Sequence, residues 1–163
     1  MLVGVISDTH DNIFNTEKAI KVAQQKGCEI LFHCGDLISP FMIPLLASFQ
    51  KEVHLIVGNN QGDIALMYEH LKKYPWVKFH GEQAFLEIKG FNVAMVHYPK
   101  LAYVLAKSQE FDYVFCGHTH KFEVKEIGKA LVVNPGEVLG KEGVPTMVVL
   151  DLTSKTWEKL DLL

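Results

Sequence analysis

Apolar runs in this chain end repeatedly on a short polar motif. Asp8-Thr9-His10 closes Leu2 to Ser7, and Gly35-Asp36 closely follows Ile30-Leu31-Phe32. Gly58-Asn59 ends Leu55-Ile56-Val57, and Gly117-His118-Thr119-His120 ends Tyr113 to Cys116. His97 alone closes Phe91 to Val96. The apolar runs read as buried strands, and in open α/β sheets sites form at the carboxyl ends of strands. Each motif alone is ordinary turn chemistry, because Asp, His, Asn and Gly all suit turns. Their joint occurrence in this order carries more weight. Together they supply two carboxylates, one carboxamide and four imidazoles. That donor set suits two adjacent divalent cations, since a carboxylate can bridge both ions while neutral imidazoles complete each shell.

Between the motifs, apolar runs alternate with amphipathic segments. Ile13, Ala19, Ile20 and Ala23 place a stripe on a helix ending near Gly27, and Ile64, Met67, Leu71 and Tyr74 mark another that starts at Gly62-Asp63. Ser39-Pro40 reads as an N-cap followed by proline at the first helical position. The first half is therefore a β-α-β-α-β-α run with parallel strands. In the second half, Phe85 to Ile88 and Phe91 to Val96 flank the short hairpin-type connection Lys89-Gly90, so antiparallel pairing is expected. A helix over about Pro99 to Gln109 and strands at 122–127, 131–133 and 147–150 follow. So much strand cannot pair in one small sheet without curling, so two packed sheets covered by outer helices are the simplest architecture.

At 163 residues the chain is expected to form one domain around a single core, residues 1–163. A net charge of -3 provides no basic field for nucleic acid. No basic export leader precedes Leu2, and the longest apolar stretch, Phe41 to Phe49, is short for a membrane span and carries Pro44. Cys28, Cys34 and Cys116 lack C-x-x-C spacing and sit among apolar neighbours, as buried thiols in a reducing cytoplasm would. A soluble cytoplasmic protein is expected, with no membrane partner.

The ordered set D-x-H, G-D, G-N, H and G-H-x-H resembles the calcineurin-like metallophosphoesterase superfamily, and the short length resembles its small bacterial and archaeal phosphodiesterase branch. The resemblance spans Val3 to about Glu137. It implies a four-layer α-β-β-α sandwich of two packed mixed sheets with outer helices. It also implies that Asp8, His10 and His120 hold one metal, that Asn59, His97 and His118 hold the other, and that Asp36 bridges them. The activity implied is phosphodiester hydrolysis by a hydroxide bridging two divalent ions, on a small-molecule substrate, with Asp36, Asn59, Asn60 and His97 as catalytic residues. Manganese, nickel, zinc, iron and cobalt all fit a ligand set without sulfur, and the resemblance favours manganese in vitro. A homo-oligomer is compatible with the family.

The chain also departs from the pattern. Many relatives carry a histidine after the metal-binding asparagine, able to protonate the leaving group, where this chain has Asn60. The usual H-G is His97-Tyr98, and Glu137 replaces the small residue often found after N-P-G. His33 reads as a hydrogen-bonded or core residue, and His54, His70 and His80 as surface or turn residues. The rival expectation is a protein-binding scaffold on the same fold, with Tyr68, Tyr74, Trp76 and Phe79 as an exposed patch.

Overall fold

In the computed structural model, which describes residues 1–163, alternation along the strands sorts side chains into three apolar layers. Eleven strands and four helices follow in the order β1 (Leu2–Ile6), α1 (Ile13–Gln25), β2 (Ile30–His33), α2 (Met42–Ala47), β3 (Glu52–Leu55), α3 (Ile64–Leu71), β4 (Val77–Phe79), β5 (Gln83–Ile88), β6 (Phe91–Val96), α4 (Pro99–Lys107), β7 (Tyr113–Phe115), β8 (Phe122–Ile127), β9 (Ala130–Pro135), β10 (Thr146–Asp151) and β11 (Trp157–Asp161). One sheet has the order β11-β10-β1-β2-β3-β4 and the other β5-β6-β7-β9-β8. Val3, Val5, Phe32, Val93, Met95 and Phe115 fill the space between the sheets. Ile6, Leu31 and Leu55 face the opposite way, onto Ala19, Ile20, Ile43 and Met67 of α1, α2 and α3. Ala94, Val96, Val114 and Val132 receive Ala102 and Ala106 of α4. This is the four-layer α-β-β-α sandwich of two mixed sheets.

In the first sheet β1, β2, β3 and β4 pair in parallel, as alternating strands and helices require, while β10 and β11 add antiparallel strands beyond β1. The second sheet contains the expected antiparallel β5–β6 hairpin. Strands β8 and β9 are also antiparallel, whereas β6, β7 and β9 run parallel, a direction the sequence reading did not specify. The crossover through α4 allows β6 and β7 to share a direction. Lys89 and Gly90 both have positive φ, 52° and 85°, which fits the tight turn that closes the β5–β6 hairpin.

A correction concerns Ser39-Pro40. Helix α2 starts at Met42 with Phe41 in the N-cap position, because the Ser39 N–H and hydroxyl are both committed to the Asp11 carboxylate. Of the expected aromatic patch, only Tyr68 and Trp76 are exposed, at 52% and 37%. Tyr74 and Phe79 pack against the outer core instead. His54, expected at the surface, is buried, with its ring stacked on Phe32.

Candidate metal centre

Six parallel strands, three from each sheet, aim their carboxyl ends at one place. Asp8 and His10 follow β1, Asp36 follows β2, and Asn59 and Asn60 lie beyond β3. His97 follows β6, His118 and His120 follow β7, and Asn134 lies in β9 with Glu137 just after it. Backbone bonds lock the loops together: Asp8 N donates to Gly35 O and His10 N to Asp36 O, both at 3.0 Å. Across the two sheets, His118 N donates to Asp8 Oδ2 at 3.0 Å.

The backbone bends sharply to do this. Asp8, His10, Asp36, His118 and His120 all have positive φ, between 42° and 71°. Asp and His tolerate that region better than most residues, yet such a concentration is characteristic of functional sites. Two motif glycines are required by close approach. A Cβ on Gly58 would meet Asp36 Oδ1 and come within 2.8 Å of His97 Cε1. One on Gly117 would overlap Ser7 Oγ and approach Asp8 Oδ2 to 2.6 Å.

The seven residues expected from sequence converge in two groups with Asp36 between them. Nitrogen and oxygen atoms of Asp8, His10 and His120 lie within 4.8 Å of one another, and so do those of Asp8, Asp36 and His97. Asn59 Oδ1 lies 3.0 Å from His97 Nε2 and 2.9 Å from His118 Nδ1. Asp36 presents Oδ2 at 3.5 Å from His10 Nε2 and Oδ1 at 3.5 Å from His97 Nε2. Asn60 is exposed, but it points its polar groups at Asp36. Its N–H and its carboxamide donate to the two Asp36 oxygens, each at 2.8 Å.

The proton inventory shows what these atoms lack. His97 Nδ1 lies 2.8 Å from the Cys34 carbonyl, which can only accept. In the neutral ring, Nε2 is then a lone pair facing the Asn59 and Asp36 oxygens, which are also acceptors. His120 repeats the pattern: Nδ1 is 2.7 Å from Glu137 Oε2, and Nε2 faces Asp8 Oδ1 at 3.4 Å. Asp8 Oδ1, His10 Nε2 and Ser7 Oγ are buried without any hydrogen-bond partner. Acceptors facing acceptors around buried carboxylates fit divalent cations between them, since an unpaired buried charge is costly and no Lys or Arg pairs with Asp8 or Asp36.

Electrostatics agree. Burial alone would raise the Asp8 pKa, but His10, His97 and the His118 N–H together hold it below the usual carboxylate value. Asp8, assisted by Asp36, raises His10 above the usual imidazole value, although its nearer carboxylate oxygen is 3.8 Å away, too long for a hydrogen bond. Complete burial pushes His33 down to about 4. His33 Nδ1 accepts from Gly35 N at 3.3 Å, and Nε2 meets Thr9 Oγ1 at 3.0 Å. It therefore braces the Asp8 and Asp36 loops from behind. Asn134 Nδ2 donates to Gly117 O and Thr119 Oγ1, fixing the G-H-T-H turn, while Asn12 caps α1.

Glu137 is the residue the sequence reading left without a partner. The available signal was a lone acid in the apolar segment Pro135-Gly136-Glu137-Val138. Beside the site, a concavity of about 470 Å³ is lined by Tyr98, Lys100, Leu101 and His118, with the Tyr98 ring centroid 4.7 Å from that of His118. That volume suits a small molecule.

The calcineurin-like phosphoesterase superfamily domain matches residues 1–155. The chain is 32% identical to a phosphodiesterase of Methanocaldococcus jannaschii, with 99% of each chain covered. It is 29% identical to a probable metallophosphoesterase of Methanothermobacter thermautotrophicus, covering 99% of this chain and 90% of the relative. Among solved structures, an archaeal phosphodiesterase superposes with a TM-score of 0.92 at 31% identity, covering 99% of both chains. A phosphoesterase from E. coli, at 15% identity and a TM-score of 0.70 over the whole of both chains, shares the fold.

Proposed function

The chain belongs to the calcineurin-like phosphoesterase superfamily, and from that premise we propose that this phosphoesterase is a phosphodiesterase built on two divalent metal ions. Asp8, His10 and His120 would hold one ion and Asn59, His97 and His118 the other, with the Asp36 carboxylate available to both. Bound there, divalent ions would provide a hydroxide near neutral pH and offset charge growing on the phosphoryl oxygens. The observation that carries the reading is the convergence of ligand atoms: His120 Nε2 lies 3.4 Å from Asp8 Oδ1, and His97 Nε2 lies 3.0 Å from Asn59 Oδ1 and 3.5 Å from Asp36 Oδ1.

The chain's own residues divide the remaining work. Asn60 grips both oxygens of Asp36 and keeps that carboxylate between the two groups. The Cys34 carbonyl and Glu137 hold the His97 and His120 rings by their Nδ1 atoms. Asn60 carries no dissociable proton, so no general acid stands at that position and the ester oxygen leaves as an anion. Glu137 adds a third carboxylate to the Asp8 and Asp36 pair, which favours a diester monoanion over a monoester dianion. The substrate is a small phosphodiester fitting the concavity at Tyr98 and Leu101. No helix is long and apolar enough to cross a membrane. Cys28, Cys34 and Cys116 are buried free thiols, which fits a reducing cytoplasm.

Hydrolysis of bis(4-nitrophenyl) phosphate by metal-free chain, with and without added manganese, tests the proposal. Turnover should vanish with chelator and return with the metal. A rate unaffected by chelation overturns it.

A further inference from the structure

Glu137 is a carboxylate only 1% exposed, with no lysine or arginine beside it. Burying a carboxylate is costly unless hydrogen-bond donors replace water. Three do so here. His120 Nδ1 lies 2.7 Å from Oε2, and the N–H groups of Glu142 and Gly143 both donate to Oε1. A carboxylate accepts and does not donate, so the shared proton sits on His120 Nδ1 and the ring is turned with its Nε2 lone pair toward Asp8 Oδ1. One carboxylate thus grips a side chain of the metal site and the segment 139–144 together. That segment is also held at the Leu139 carbonyl by the carboxamides of Asn12 and Asn15, at the start of α1 and close behind His10.

We propose that Glu137 is a positioning residue that fixes His120 in the tautomer and orientation required by a divalent ion beside Asp8 and His10, and that ties ordering of segment 139–144 to occupancy by that ion. The inference rests on the metal-centre reading of the site. It is specific in one respect: Glu137 touches His120 and neither His97 nor His118, so its influence falls on one of two ions.

The test is titration of metal-free chain with manganese, comparing the parent with Glu137→Gln and Glu137→Asp, alongside amide hydrogen exchange at Glu142 and Gly143. In Glu137→Gln, one of the two binding events should weaken by roughly 10–100-fold, as loss of a ligand's hydrogen-bond partner typically does, while the other is unchanged. Anomalous diffraction should place the weakened ion beside Asp8, His10 and His120. Glu137→Asp keeps the charge and should recover part of the loss. Manganese should slow exchange at Glu142 and Gly143 in the parent and leave it unchanged in Glu137→Gln. Equal weakening of both ions together with a lower melting point of the metal-free variant would mean a merely structural carboxylate and overturn the inference. Two ions bound with parental affinity by Glu137→Gln would also overturn it and leave the metal centre intact. A parent that binds no manganese would instead remove the premise.

Discussion

At the scale of single residues, Asn60 and Asp36 make the sharpest predictions. Asn60 directs its backbone N–H and its carboxamide NH2 at Asp36 and has no dissociable proton to give a leaving group. Rates across a series of phosphodiesters should therefore fall steeply as the leaving-group pKa rises. Asn60→His should flatten that dependence, since a positioned general acid contributes about 10²–10⁴-fold where proton transfer limits the step. A shallow slope in the parent would mean that another group, such as the Tyr98 hydroxyl, already supplies the proton. Asp36→Asn removes half the anionic charge of the seven-residue set and should cost at least about 100-fold in turnover and lower metal stoichiometry. His33→Asn, which disturbs only bonds to Thr9 and Gly35, should cost no more than about tenfold. Assaying turnover and bound metal together separates the two, and comparable losses would mean that His33 acts at the centre itself. The seven residues were legible because each ends an apolar run. Glu137 was not, because its partner His120 comes 17 positions earlier and meets it only through the turn that follows β9.

At the scale of elements, the sequence was most readable where one face of a strand or helix alone decides the outcome. Strands β1, β2, β6 and β7 are buried along most of their length and appear as mostly apolar runs, interrupted only by Asn92 in β6 and ended by His33 in β2. Edge strands β4 and β11 escaped notice because they are short or mostly polar, with burial fixed by the neighbouring strand. The start of α2 was misplaced because nothing local announces that Ser39 is spoken for by Asp11. His54 on β3 was misjudged for the same reason. Its two ring nitrogens meet Glu52 two residues back on the same strand and His80 just past β4, so a polar residue is satisfied inside the sandwich. Lys78, paired with Glu52, completes the charged surroundings. Burial holds His54 down at about 4 despite Glu52. Its folded value is depressed, so the unfolded chain binds the proton more readily below the ordinary imidazole value of about 6.5. Stability contributed by neutral His54 is complete above that value and is lost as pH falls toward 4, by up to roughly 3 kcal/mol. Urea midpoints of metal-free chain at pH 7 and pH 5 should drop more in the parent than in His54→Gln. Equal drops would assign the effect to other groups, His33 first among them. On α1, Asn12→Ala should cost about 1 kcal/mol in chemical denaturation through loss of the N-cap.

At the scale of the whole molecule, the site is the place where the two sheets are joined. The β1, β2 and β3 ends supply both aspartates of the centre and Asn59, and the β6 and β7 ends supply three of the four histidines. Neither sheet alone carries a complete set, so the sandwich must be assembled before the centre exists. The converse also follows: divalent ions that bind the assembled site and not the unfolded chain would stabilise the fold. Manganese at one hundred times its dissociation constant should stabilise the chain by about 2.7 kcal/mol per ion and raise the melting temperature by roughly 5–10 °C. An unchanged melting temperature would mean that manganese does not bind the folded chain in preference to the unfolded one. The sandwich was foreseeable from the amount of strand, but the parallel run of β6, β7 and β9 was not, because strand direction depends on which crossover packs against which face. The most direct measurement is the number and position of metal ions per chain, by elemental analysis after metal loading and anomalous diffraction from crystals of the loaded protein. Two ions are expected, one beside Asp8, His10 and His120, the other beside Asn59, His97 and His118, and both in contact with Asp36. A single ion at saturation, or ions bound away from Asp36, would contradict the account.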